Sequence, residues 1–150
     1  WEKAARGSEG RKNTWGDAPA DCRLAVIDEG GGNGCGAGDT TFEVGSRPEG
    51  ATPEGVLDMI GNVWEWTADW YQDHARIERP CCVARNPRGG PEETSGGSAG
   101  PNRQTPRKVL KGGSHLCAPN YCQRYRPAAR LAHPVDTTTC HVGFRCVLRA

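Results

Sequence analysis

Leu57-Asp-Met-Ile-Gly-Asn-Val-Trp-Glu-Trp-Thr-Ala-Asp-Trp-Tyr71 is the stretch on which the fold turns. From Val63 it alternates with period two. Trp64, Trp66, Ala68 and Trp70 fall on one face, and Val63, Glu65, Thr67 and Asp69 on the other. That period predicts a strand. Three large aromatics on one face suit core packing. Glu65, set between tryptophans, needs a compensating partner, either an arginine or a bound cation.

Working outward, Leu24–Ile27, Val109-Leu110 and Val142–Leu148 read as further short strands, and Thr41–Arg47 alternates like one. Trp1-Glu-Lys-Ala-Ala-Arg-Gly7 reads as the last turns of a helix closed by a glycine cap. Thr52-Pro53-Glu54 looks like a helix start, with Thr as cap and Pro in the first turn. Trp15-Gly16-Asp17 with Pro19 is a turn, and Arg79–Pro106, rich in Gly, Pro, Ser and Arg, a long surface loop. Cys22 and Cys35 bracket a Gly-rich segment from Glu29 to Gly38. No Lys-Ser/Thr or helical pattern follows it, so a phosphate loop is not supported. A Cys22–Cys35 disulfide fits an oxidising compartment only.

The chain has 150 residues, enough for one domain or a large part of one. Only 35% are hydrophobic and 21 are Gly, while five Trp argue for a folded core, so a compact, loop-rich domain is expected. Trp1 opens it without an initiator Met, and the chain is expected to begin inside a domain. No apolar run approaches the ~20 residues of a membrane span. Net charge is +1, but unevenly placed: residues 1–102 hold 10 Lys+Arg and 17 Asp+Glu, residues 103–150 hold 9 Lys+Arg and Asp136 alone. The two halves can attract each other. Nucleic-acid binding is the weaker use of this basicity, since no nucleic-acid motif accompanies the basic half.

Cys117 and Cys122 lie in this basic half, in Lys108-Val-Leu-Lys-Gly-Gly-Ser-His-Leu-Cys-Ala-Pro-Asn-Tyr-Cys-Gln-Arg-Tyr-Arg-Pro-Ala-Ala-Arg130. Such a pair can hold a soft metal, do thiol chemistry or pair with itself, and neighbouring cations favour thiolate. The eight cysteines include no C-x-x-C, so zinc-ribbon and thioredoxin readings have no support. His74, His115 and His133 read as surface residues.

Gly61-Asn-Val-Trp-Glu-Trp66, Lys111-Gly-Gly-Ser114, Arg124-Tyr-Arg126 with Ala128-Ala-Arg130, and Gly143-Phe-Arg-Cys146 occur in that order. Together they resemble the C-terminal half of the formylglycine-generating enzymes, the sulfatase-modifying factor family. Cys117 to Arg126 is the narrowest element and is similar to the active site of the bacterial members. The resemblance implies an α+β, complex C-type-lectin-like fold with little regular secondary structure. It makes residues 1–150 the C-terminal portion of a single, N-terminally truncated domain.

The activity implied is aerobic oxidation of a cysteine, in a Cys-x-Pro-x-Arg segment of an unfolded sulfatase polypeptide, to Cα-formylglycine, with O2 and a thiol reductant. By resemblance Cys117 and Cys122 bind Cu(I), a match for sulfur ligands, and Ser114 and His141 complete the catalytic pocket. Trp64 lines the substrate cleft, and Tyr121, Arg124 and Arg126 either shape the peptide groove or lock the cysteine loop. Asp58, Gly61, Val63 and Glu65 match calcium ligands, Gly61 and Val63 through backbone carbonyls. Of two disulfides in the vertebrate enzyme, one would use positions held here by Ala5 and Pro127. The other would join Cys146 to a cysteine upstream, leaving Cys146 free, buried or paired with Cys140. Their loss fits a bacterial, cytoplasmic enzyme in a reducing compartment, and neither membrane nor nucleic-acid partners are expected. Two other functions remain within the superfamily: a non-catalytic peptide- or sugar-binding module, which usually lacks the cysteine pair, and the C-terminal domain of an ergothioneine-pathway sulfoxide synthase.

Overall fold

The computed structural model describes residues 1–29, 32, 34–36, 38, 40–73, 89–96, 105–120 and 122–148. The Val63–Tyr71 alternation becomes β1 (Trp64–Trp70), the centre of a four-stranded sheet. β2 (Arg107–Lys111) pairs antiparallel to it, with Glu65 opposite Lys111 and Trp66 opposite Leu110. β3 (Leu131–Pro134) pairs antiparallel to β2, and β4 (Val142–Gly143) parallel to β1, giving the order β3-β2-β1-β4. β3 is a strand that the sequence reading passed over. It lacks alternation, and its Leu131 and Ala132 find partners only through Leu110 and Val109.

Helix is sparse, as expected. α1 (Glu2–Arg6) ends at Gly7, whose φ of 66° needs a residue without Cβ, and the Gly7 amide closes the cap on the Lys3 carbonyl. α2 is a single turn, Glu92–Ser95, within the stretch read as loop; residues 79–88 and 97–104 lie outside the described part.

Four expectations are corrected. Of Val142–Leu148 only Val142–Gly143 pairs as strand. Leu24–Ile27 is buried but contributes only one bridge, Val26 to Gly61. Thr41–Arg47 is no strand: Asn62 bonds both the amide and the carbonyl of Phe42, and a turn closes Glu43 on Ser46. Thr52 caps a turn instead of a helix. Its hydroxyl accepts from the Val56 amide, and Gly55 at φ 82° turns the chain out of helical space. The only 3-10 turn there is Pro48–Gly50.

The core joins Ala25, Ile27, Ile60, Trp64, Leu110, Cys117 and Tyr125. Gly113 lets this core close. Its φ is +72°, and a Cβ there would sit 2.5 Å from the Tyr125 Cα. Gly113→Ala therefore adds backbone strain to a clash with main chain. A loss of about 2–4 kcal/mol is expected by urea unfolding, and a loss under 0.5 kcal/mol would show that the Tyr125 segment yields freely.

Candidate active site

Beyond β2 the chain folds into successive turns, because Gly112 and Gly113 take positive φ and Pro119 and Pro127 offer no amide. The Cys117 amide bonds the Ser114 carbonyl, and the Cys122 and Gln123 amides both reach the Ala118 carbonyl. These turns bring the two cysteines together. Both are free thiols: Cys117 is 5% exposed and Cys122 half-buried. Burial first, with the adjoining Cys122, pushes the Cys117 thiol up to about 11, against the lowering effect of Ser114. Desolvation thus outweighs the basic surroundings expected to favour thiolate, and Arg124 and Arg126 stand exposed.

Ser114 is 1% exposed, and its hydroxyl accepts from the Leu116 amide. His141 enters from the loop before β4, and its carbonyl accepts from the Trp64 amide. Its imidazole is held below the usual range, by burial first and then by His115 and His133. Trp64, expected to line a cleft, is 4% exposed and packs in the core with Cys117. Arg126 bonds the Gln123 carbonyl, and Tyr121 lies outside the described residues.

Three residues tie this site to the scaffold without having been singled out for it. Asn62, at φ 60°, donates its amide to Val26 and accepts from both the amide and Nδ1 of His115 at 3.0 Å. His115 is therefore buried, 3% exposed, and not the surface residue expected; its ring meets His141 edge-on at 6.5 Å between centroids. The Asp28 amide donates to the Cys117 carbonyl at 3.1 Å. The Asn in Gly61-Asn62 was the available signal, since a left-handed turn residue favours Asn. Nothing local marked Asp28.

The whole chain, residues 1–150, matches the sulfatase-modifying factor enzyme 1-like domain. The chain belongs to this family. It is 43% identical to a formylglycine-generating enzyme of Mycobacterium tuberculosis, over 98% of this chain and 48% of that protein. To the formylglycine-generating enzyme of Mus musculus it is 36% identical, over 97% of this chain and 36% of that protein. It thus spans half or less of the length of these relatives. Among solved structures, Treponema denticola variable protein 1 superposes with a TM-score of 0.64 at 24% identity, covering 96% of this chain and 43% of that one. CarF superposes with a TM-score of 0.60 at 20% identity, covering 96% and 42%. These two bear on the fold alone, which is the family's α+β architecture. No helix among the described residues is long and apolar enough to cross a membrane.

Two metal expectations meet different geometries. For copper the donor set fits: two adjacent, unpaired thiols are the ligands a soft monovalent ion selects. Among the described residues no three His, Cys, Asp or Glu side chains gather around a point, so such an ion would rest on these two sulfurs. For calcium the arrangement does not fit. Both Glu65 oxygens accept from Arg145, at 2.5 and 2.6 Å, and one also accepts from the Trp1 indole at 2.6 Å. Asp58 turns its carboxylate to the Gly45 amide, while its carbonyl and that of Leu57 receive Arg145. The guanidinium stands where a cation would be needed. Adding Ca2+, or a calcium chelator, is expected to move the melting temperature by less than about 1 °C. A rise of several degrees with Ca2+ would return Glu65 to the metal.

Proposed function

We propose that the domain oxidises a peptidyl cysteine to Cα-formylglycine, with Cys117 and Cys122 holding Cu(I). The observation that carries this reading is the pair of neighbouring free thiols, one buried and one half-buried, within a family whose curated relatives are named formylglycine-generating enzymes. The overall change is balanced as thiol plus O2, two electrons and two protons, giving aldehyde, hydrogen sulfide and water. Two electrons come from a thiol reductant.

Bound copper would supply the capacity to react with oxygen, chemistry that the side chains lack. The chain supplies the rest. Cys117 keeps its proton at neutral pH because it is buried, so loading a soft cation must release that proton. Cys122, less buried, is the side from which a substrate sulfur approaches. Ser114 opposes the rise of the Cys117 pKa, and the buried wall of Trp64, Ile27 and Leu110 keeps water from behind the sulfur. His141, held toward the neutral form by its surroundings, would serve as a proton acceptor. Exposed Arg124 and Arg126 flank the cysteine loop, where an incoming sulfatase segment would run.

The test supplies Cu(I), O2 and a thiol reductant to the protein with a peptide containing Cys-Thr-Pro-Ser-Arg. Mass spectrometry should show conversion of thiol to aldehyde that requires both copper and oxygen. Conversion that proceeds equally in copper-free protein would remove the metal from the reading.

A further inference from the structure

We propose that the Cys22–Cys35 cystine is a redox-modification site, reducible by a dithiol, and that opening it loosens the wall that holds Cys117 in place. The bond joins residues 13 apart, across a segment in which Gly32 and Gly34 take positive φ. A glycine-rich segment has much conformational freedom to regain once the covalent tie is cut. Both cysteines are half-buried, within reach of a reductant.

What the bond encloses matters more than the loop itself. Between the two cysteines lies Leu24–Ile27, each residue 8% exposed or less. The Ile27 amide donates to the Cys35 sulfur at 3.4 Å, and the Cys22 amide to Glu29 Oε1 at 2.5 Å. Residues 27–29 are thus gripped at both ends by groups on the cystine. The middle one, Asp28, donates to the Cys117 carbonyl at 3.1 Å. A second route runs from the Val26 carbonyl to the Asn62 amide at 2.8 Å, and from the Asn62 carbonyl to His115, two residues before Cys117. Reduction frees the Cys35 sulfur, and with it the Ile27 end of the grip, while leaving the Cys22 amide on Glu29 and the apolar burial of Val26 and Ile27, so the expected response is local: Asp28 lets go of Cys117, and the core stays folded.

The chemistry is a two-electron exchange. A dithiol gives two electrons and two protons, the Cys22–Cys35 S–S bond breaks into two thiols, and the reductant closes to its own disulfide. The proposal rests on the reading of Cys117 and Cys122 as the working thiols. Because that activity draws on a thiol reductant, the same redox poise would set how firmly the metal-binding loop is held.

The test compares air-oxidised protein, the same protein reduced with dithiothreitol and freed of it without air, and the Cys22→Ser/Cys35→Ser variant. Each is pulsed with iodoacetamide under native conditions, and labelling is resolved by peptide. Cys117 is expected to react about tenfold faster in the second and third samples, with exposed Cys140 as an unchanged reference. Hydrogen exchange at the Asp28 amide should accelerate in step, while the Leu110 amide in β2 stays protected. That comparison needs only the wild-type chain, and so holds even if the double variant does not fold. Cys117 rates and Asp28 exchange within twofold across redox states would overturn the proposal. So would loss of Leu110 protection together with Asp28, or an air-oxidised protein whose Cys22 and Cys35 both alkylate. None of these readouts uses turnover, so redox-dependent labelling in a protein that makes no aldehyde would sink the enzymatic reading alone.

Discussion

Arg145→Ala is expected to cost about 2–4 kcal/mol of stability, the largest loss from any single surface-reaching side chain here. Glu65 is 93% removed from solvent at its side chain, whose relative exposure is 7%, and Arg145 is its main partner. Glu65 raises the Arg145 pKa through hydrogen bond and charge, so the guanidinium stays charged at any practical pH. The same group also satisfies the Leu57 and Asp58 carbonyls. Truncation leaves a buried carboxylate with, among the described residues, the Trp1 indole as its remaining donor, and two carbonyls without Arg145. The value sits at or below the usual range for a fully buried pair because Arg145 is 28% exposed and water can partly replace it. Arg145→Lys should recover less than half, since an ammonium cannot present the planar fork that meets both carboxylate oxygens. Chemical denaturation of the three proteins checks this. A loss for alanine below 1 kcal/mol, or full recovery by lysine, would mean the fork is not what holds Glu65.

The same cluster shows how far the sequence could be read. Glu65 between tryptophans announced a compensated carboxylate, and left an arginine and a cation both open. Its partner lies 80 residues away, and no periodicity reaches that far. β1 was legible because alternation is a local property. Thr41–Arg47 showed similar alternation and is not a strand, because the Asn62 side chain takes the Phe42 backbone bonds that a neighbouring strand would need. Cys117 and Cys122 were identifiable as a pair from their spacing, and turns through Ala118 do bring them together. Their charge state was not legible. The basic composition argued for thiolate, yet burial among Ile27, Trp64 and Leu110 decides it, and burial is a sum over distant segments. His115 read as a surface residue for the same reason: its partner is Asn62, on the loop that leads into β1.

Cys117→Ser and Cys122→Ser should each abolish Cu(I) binding and lower peptide conversion by at least about 100-fold. Serine keeps the shape of the side chain but offers a hard, protonated oxygen where a soft ligand is needed. An ion held by these two sulfurs would have no spare ligand, since no third His, Cys, Asp or Glu gathers there among the described residues. The double variant should therefore be no worse than either single one, as expected for groups that act as a unit. Stability must separate from activity. Cys117 is 5% exposed and belongs to the core, so a hydroxyl there costs about 1–2 kcal/mol, whereas the same change at half-buried Cys122 should cost less. Activity lost equally at both positions, with stability lost mainly at Cys117, marks a shared ligand role that packing cannot imitate. Copper titration with a competing chelator, peptide conversion by mass and thermal melting make the three measurements. Should Cys122→Ser retain both copper and turnover, the pair is not the metal site, and Cys117 is a buried thiol of the core.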